Sequence, residues 1–171
     1  MNKYNFSFSF IEQKVRTKTF GILTTINKDG TPHTTGILYG VSPPSIKFSL
    51  YCFTSKRYKK VQNIKLNPNI SFIIPFPHHI LRFAPSSTVT FNGKANLVSL
   101  NNTEIRTIFS KKRILKLVIN QSQTEDQESF TFIRIKPNPK VLCYGIGINV
   151  LKLRRGHKEG GYSVILPEER Q

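Results

Sequence analysis

Hydroxyl and basic side chains are concentrated in one short stretch of the sequence, FTSKRYKKVQNIKLNP, which runs from residue 53 to residue 68. An apolar run precedes Thr54 and Ser55, and basic residues follow them at once. If a strand ends at these hydroxyls and a helix begins after them, hydroxyl, backbone N–H and ammonium groups converge on one point. A phosphate group binds well there, because its oxygens accept charge-assisted hydrogen bonds and the helix dipole adds positive potential. The stretch therefore indicates an anion-binding site, with a solvated basic helix face as the alternative.

The common catalytic motifs are absent from the sequence. It contains no GxSxG elbow, no HExxH pair, no Walker loop and no complete GxGxxG pattern. No Asp or Glu occurs between Asp29 and Glu104, which argues against a hydrolase that uses two carboxylates. The pair His78-His79 has no third ligand residue nearby, so we do not expect it to bind a metal ion.

The charge of the chain is strongly positive. Its 26 Lys and Arg residues and nine Asp and Glu residues give a formal net charge of +17. Such a field favours anionic partners without specifying a fold. A β-barrel that binds nucleic acid through basic residues and stacking Tyr and Phe rings is therefore one open alternative.

Length and composition predict a single domain that spans residues 1–171. Cys52 and Cys143 are far apart and lack a CxxC spacing, so we expect two buried thiols and no disulfide. No apolar run approaches the roughly 20 residues that span a bilayer, and the first residues do not resemble a secretory signal. We therefore expect a cytoplasmic protein that does not associate with membranes.

The spacing of apolar residues predicts strands with helices inserted between them. Ser9 and Glu12 match a capping box, which predicts an N-terminal helix within residues 1–17. Alternating or β-branched runs predict strands at 20–26, 33–39, 46–53, 70–74, 88–99, 129–135 and 141–144, and at YSVIL in a C-terminal extension of residues 146–171.

Turn and cap residues divide these elements. Ser55 is predicted to cap a helix that ends at Asn67-Pro68. Asn101 or Asn102 is predicted to cap a second helix over residues 103–119. Asn92-Gly93 indicates a bulge within one bent strand, and Pro137 and Pro139 indicate a turn. Successive hairpins with inserted helices predict a mainly β protein in which an antiparallel barrel closes on itself.

Three runs of the sequence together resemble a known family. GTPHTTGIL, SIKFSLYCFTSKRYKKVQNIKLNPNISFII and TVTFNGKANLV follow in the order found in the pyridoxamine 5'-phosphate oxidase-like, FMN-binding split-barrel superfamily. The resemblance covers about residues 20–99. It implies a six-stranded antiparallel split β-barrel and a homodimer that holds FMN between its subunits. It also implies an oxidoreductase that acts on a small-molecule substrate by hydride transfer. Other split barrels bind the deazaflavin F420 or heme.

The resemblance also assigns cofactor-binding residues. It places Thr54 against the FMN phosphate and Lys59 and Lys60 around it, and it leaves Lys56 and Arg57 to solvent. The strand through residues 34–37 would follow the ribityl chain and the ring. The complete set of candidate residues is Thr34, Thr35, Gly36, Ile37, Phe53, Thr54, Ser55, Lys59 and Lys60.

The sequence departs from true pyridoxamine phosphate oxidases at several positions. Thr35 stands where those enzymes have Arg, Gly40 where they have Lys, and Tyr58 where they have Ser. The Arg-x-His spacing at residues 155–157 lacks the surrounding aromatic and Arg residues of their substrate motif. We therefore do not expect vitamin B6 oxidation.

Overall fold

Strands and short helices alternate along the chain. The computed structural model describes residues 6–77, 86–121, 127–148 and 160–171, and these residues form seven strands and four α-helices. The strands are β1 (Phe20–Ile26), β2 (Pro32–Val41), β3 (Leu50–Ser55), β4 (Asn69–Phe76), β5 (Ser87–Val98), β6 (Phe130–Tyr144) and β7 (Gly161–Ile165). The helices are α1 (Phe8–Arg16), α2 (Lys59–Leu66), α3 (Thr103–Ser110) and α4 (Arg113–Gln121).

Six of the strands close into a barrel. They lie in the order β3-β2-β1-β4-β5-β6, and β6 pairs back with β3. Every pairing is antiparallel. The predicted fold, a mainly β protein with inserted helices around a six-stranded antiparallel barrel, is confirmed.

Strand β6 is longer than the sequence predicts. One of its edges pairs with β5, and the other pairs with β3 through residues 130–135 and with β7 through residues 140–144. The turn predicted at Pro137 and Pro139 is wrong. Both prolines lie where β6 changes partner and where its register with β5 shifts, and proline is tolerated in a strand where no ladder bond needs its missing N–H.

Strand β3 is buried on both faces. Leu50 and Cys52 belong to the main core inside the barrel, while Tyr51 belongs to a second cluster under α3 and α4. The second cluster also contains Ile105, Ile108, Phe109, Leu115 and Phe132. The two helices therefore cover the face of β3 that points away from the barrel interior.

The N-cap of helix α1 lies two residues before the predicted one. Ser7, not Ser9, accepts the hydrogen bond from the Phe10 backbone N–H, at 3.3 Å. The predicted partner of the capping box, Glu12, instead forms ion pairs with Arg16 and with Arg170, the latter at 2.8 Å. The carboxylate thus binds two guanidinium groups in place of the backbone N–H that a capping box would give it. The ion pair with Arg170 links α1 to the C-terminal segment.

Helix α2 begins later than predicted because β3 extends through Ser55. Ser55 pairs with Phe130, and its hydroxyl accepts a hydrogen bond from the Arg57 backbone N–H at 3.3 Å. This bond closes a turn, and the first residue of α2 is Lys59. The predicted end at Asn67 is confirmed.

Two further sequence predictions meet different outcomes. The helix predicted over 103–119 is two helices, with Asn102 as the N-cap of α3. Lys112 lies between them and donates hydrogen bonds to the Arg16 and Lys18 carbonyls, which fixes the break against the barrel. The single bent strand predicted around Asn92-Gly93 is confirmed as β5, with its irregularity between Phe91 and Gly93.

Gly93 is required by the close approach of β5 and β6. A Cβ atom there would lie 2.2 Å from the Lys136 carbonyl oxygen and 2.8 Å from the Pro137 Cα atom. Since both neighbours are backbone atoms, we expect Gly93→Ala to lower the free energy of unfolding by roughly 1–3 kcal/mol, measured by urea denaturation. Gly161→Ala is the matched control, because its Cβ would meet nothing within 4 Å. Equal stabilities of the two variants would contradict this explanation.

Candidate functional site

A cleft opens where strands β2 and β3 separate. The two strands pair only from Tyr39 to Val41 and from Leu50 to Cys52, whereas β3 stays paired with β6 through Ser55. The opening, which we call the β2–β3 cleft, has a volume of about 600 Å³. Its lining residues are Gly36, Ile37, Phe53, Thr54, Ser55, Arg57, Tyr58, Lys60, Val118 and Phe130.

Two hydroxyl side chains lie at the end of β3 in this cleft. Ser55 donates to the Ser129 carbonyl at 3.3 Å, so the turn already uses its hydroxyl. Thr54 is only 5% exposed, and its hydroxyl makes no hydrogen bond within the described part of the chain. In the described part of the chain, every fully buried side-chain oxygen has a hydrogen-bond partner. The Thr54 hydroxyl has none and is therefore not fully buried, so it reaches the cleft and can bond a ligand.

Lys60 carries the most enclosed positive charge of the cleft. It lies in the first turn of α2, is 9% exposed, and places Nζ 4.4 Å from the centre of the Tyr58 ring. Burial lowers the pKa of Lys60, and the neighbouring Cys52 thiol opposes this shift. Neither Lys60 nor the exposed Arg57 forms an ion pair with an acidic residue that the structure describes. An anion in the cleft would therefore meet two uncompensated cations.

Lys59 extends toward a different part of the molecule. The pKa of Asp29 is lowered, first by a hydrogen bond from the Thr31 hydroxyl and then by the Thr31 backbone N–H, with Lys59 as a smaller cause. Lys59 is exposed and is not among the residues that line the β2–β3 cleft. Its charge acts near the β1–β2 turn.

The cleft brings together six of the nine residues that the sequence suggests. The three that do not line it are Lys59, Thr34 and Thr35. The Thr34 hydroxyl lies 2.9 Å from that of Thr24 on β1, and the Thr35 hydroxyl donates to the Gly36 carbonyl at 3.4 Å. Both threonines therefore have partners within or beside their own strand.

Four lining residues were not among those suggested by the sequence. Arg57 and Tyr58 belong to the basic stretch, and their positions beside Lys60 were the available signal. Phe130 lies in the strand predicted over 129–135, but only its pairing with Ser55 brings it to the cleft. Val118 comes from α4, and no local pattern connects that helix with this site.

The cysteines and histidines do not form a metal site in the described residues. Cys52 and Cys143 are both free and buried, as expected, and burial raises the pKa of each thiol, that of Cys143 to about 12. Within these ranges, no three His, Cys, Asp or Glu side chains come together. His78-His79 and the Arg-x-His spacing at 155–157 lie outside the described residues.

Asn63 holds α2 in place beneath the cleft. Its buried side-chain amide donates to the Thr25 hydroxyl at 3.1 Å and to the Asn27 side-chain oxygen at 2.9 Å. Val61 and Ile64, on the same helix, pack into the barrel core. These contacts join α2 to the β1–β2 hairpin and so determine where Lys60 lies.

Comparison with known families agrees with this architecture. The model of the family described as pyridoxamine 5'-phosphate oxidase matches residues 9–139. The chain belongs to this family. The match covers the barrel strands from β1 to β5, the β2–β3 cleft and most of β6. No curated protein sequence matches the chain significantly.

Solved structures share the fold at low sequence identity. The heme storage protein HutZ from Vibrio cholerae is 16% identical, with a TM-score of 0.60 over 80% of this chain and 94% of that one. An FAD-binding protein from Mesorhizobium loti is also 16% identical, with a TM-score of 0.58 over 80% and 92%. General Stress Protein 26 from Bacillus anthracis is 18% identical, with a TM-score of 0.55 over 79% and 91%. Within the ranges that the structure describes, no helix has the length and apolar character needed to cross a membrane.

Replacing Asn63 tests the support of α2. We expect Asn63→Ala to lower the free energy of unfolding by roughly 1–3 kcal/mol, because the Thr25 and Asn27 side chains lose a buried hydrogen-bond donor. Thermal or urea denaturation measures the change. Lys65→Ala, at an exposed position of the same helix whose side chain makes no hydrogen bond within the described part of the chain, should change stability by no more than about 0.5 kcal/mol. A similar loss in both variants would show that Asn63 has no special role.

Proposed function

We propose that the protein is a flavin-binding oxidoreductase whose β2–β3 cleft holds the phosphate of FMN. The supporting observation is the concentration of two unpaired cations, Lys60 and Arg57, beside the available hydroxyl of Thr54 in a cleft without an acidic lining residue. Phosphate oxygens accept hydrogen bonds from hydroxyl, guanidinium and ammonium groups at once. The β3 end therefore offers the donor set that a terminal phosphate requires.

The remaining walls of the cleft suit a flat, largely apolar ring. Gly36 and Ile37 form the β2 side, and Val118 of α4 faces the same space. Gly36 is exposed, and the ring of Phe20 occupies the space that a side chain there would take. A bound flavin supplies hydride transfer, and the protein orients it and excludes competing reactions. The substrate in this proposal is a small molecule that reaches the ring from solvent.

A homodimer with the cofactor at its interface is part of the proposal. The apolar surface of α4 continues outward from Val118 through Ile114 and Leu117, and Leu117 is 63% exposed. Tyr58, on the other side of the cleft, is also exposed. Exposed apolar residues clustered around a ligand cleft are typical of an interface. The two free, buried thiols agree with a reducing cytoplasmic location.

Heme is less well suited to this cleft than a flavin. Heme iron in proteins is usually bound by His, Cys, Met or Tyr. Among the described lining residues there is no His, Cys or Met, and Tyr58 is the one side chain of these types. F420 remains an alternative ligand, because its phosphate would need the same donors. A nucleic-acid strand would use the same cations but would not need the enclosed Lys60.

Spectra and titrations of the purified protein test flavin binding directly. We expect visible flavin absorption in the protein as purified or after loading with FMN. We expect Lys60→Ala to raise the FMN dissociation constant roughly ten- to hundredfold, because it removes a charge-assisted phosphate contact. Lys59→Ala should have a clearly smaller effect, since Lys59 extends toward Asp29.

Each competing ligand predicts its own result in the same assays. A Soret band, F420 binding without FMN binding, or salt-sensitive oligonucleotide binding without any flavin binding would each contradict the proposal. Equal effects of the Lys59 and Lys60 substitutions would place the phosphate elsewhere.

The pH dependence of FMN affinity tests the role of Lys60 separately. Burial lowers the pKa of Lys60, so its ammonium group loses its proton at a lower pH than an exposed lysine does. As pH rises toward this pKa, the phosphate contact is lost and FMN affinity should fall. Lys60→Arg should retain affinity at alkaline pH, because a guanidinium stays protonated. If wild type and Lys60→Arg show the same alkaline profile, Lys60 does not carry the charge that FMN meets.

A further inference from the structure

A second cleft adjoins the β2–β3 cleft at the ring of Phe130. It too has a volume of about 600 Å³, and Phe130 lines both openings. Its other walls come from the end of β5, the loop to α3 and the basic residues Lys56 and Lys65. We call it the β5–β6 cleft. Each opening has the size of a site for a small organic molecule.

The two clefts lie on opposite sides of strand β3. In the closed barrel, β3 has β2 on one side and β6, followed by β5, on the other. The β2–β3 cleft therefore opens toward Gly36 and Ile37, whereas the β5–β6 cleft opens away from them. A small substrate must contact the flavin ring, which the proposed function places against β2. The β5–β6 cleft is thus on the wrong side to hold that substrate.

Positive charge continues from one cleft into the other. Lys56 and Arg57 are adjacent in sequence, and Lys56 lines the β5–β6 cleft while Arg57 lines the β2–β3 cleft. Lys65, near the end of α2, adds a second cation to the β5–β6 cleft, and neither lysine forms an ion pair with a described acidic residue. Glu128 is the acidic residue among the described lining residues of this cleft. Two lysines against one carboxylate leave the cleft positive.

The β5–β6 cleft also offers surfaces for a flat heterocyclic base. Phe130 stacks on Phe53 with ring centres 5.2 Å apart and planes 13° from parallel, yet it remains partly exposed. Leu100 adds an apolar wall. The side-chain amide of Asn101 is exposed and has no hydrogen bond within the described part of the chain, so it can both donate to and accept from a base.

We propose that the β5–β6 cleft binds the adenosine 5'-phosphate half of a flavin dinucleotide, so that the protein prefers FAD to FMN. This inference rests on the proposed function, because it takes the first phosphate to lie between Thr54 and Lys60. From that point a second phosphate passes Phe130 and meets Lys56. The adenosine then lies in the β5–β6 cleft, with its base against Phe130 and its polar edge near Asn101.

Calorimetric titration of ligand-free protein with FMN, FAD and AMP tests this inference. We expect the dissociation constant of FAD to be about tenfold or more below that of FMN, because FAD contacts both clefts. Lys56→Gln and Lys65→Gln should each raise the FAD value by about three- to tenfold and leave the FMN value within about twofold. Lys140→Gln is the matched control, since this exposed lysine lies where β6 pairs with β7 and should alter neither value. AMP should compete with FAD and not with FMN.

The outcomes separate the inference from the proposed function. If FMN binds and FAD binds no more tightly, the dinucleotide inference is wrong while the proposed function stands. If AMP binds together with FAD, or if the Lys65 substitution weakens FMN and FAD equally, the β5–β6 cleft does not hold the adenylate. If no flavin binds at all, the proposed function itself is wrong.

Discussion

The pairing of β3 with β6 is the interaction on which the barrel and its clefts depend. This pairing closes the barrel and continues over six residue pairs to Ser55, whereas the pairing of β3 with β2 ends at Cys52. Because β3 follows β6, it must leave β2, and the β2–β3 cleft is the space that results. Burial of β3 on both faces secures this arrangement, since the barrel core holds one face and the α3–α4 cluster holds the other.

The distribution of charge gives this opening its chemical character. The sequence has no acidic residue between Asp29 and Glu104, so β3, α2 and the turn between them carry cations without local counterions. These cations differ in how far their side chains are buried. Lys60 is nearly buried and must be desolvated to stay in the cleft, while Lys59 and Lys56 remain in water. Burying an ammonium group without a carboxylate partner lowers the stability of the protein, and binding of an anionic ligand offsets that loss.

Local signals in the sequence were sufficient for much of the barrel and for part of the cleft. The β1–β2 hairpin, the bulge at Gly93 and the end of α2 at Asn67 follow from turn residues and alternation. The late start of α2, the continuous β6 and the break at Lys112 could not be predicted this way, because each depends on a partner distant in sequence. The cleft shows the same difference between local and distant signals. Thr54, Ser55 and Lys60 lie in one motif that can be recognised in the sequence, whereas Phe130 and Val118 come to the cleft only through tertiary packing.

The two cysteines lie in different parts of the sheet. Cys52 lies opposite Ile133 in the closed part of the barrel, and Cys143 lies opposite Tyr162 of β7, beyond the point where β6 changes partner. Only the thiolate reacts readily with alkylating reagents, and both thiols are buried with raised pKa values. Alkylation therefore requires the surrounding strands to open. The chain thus contains two internal reporters of local unfolding, one for barrel closure and one for the attachment of β7.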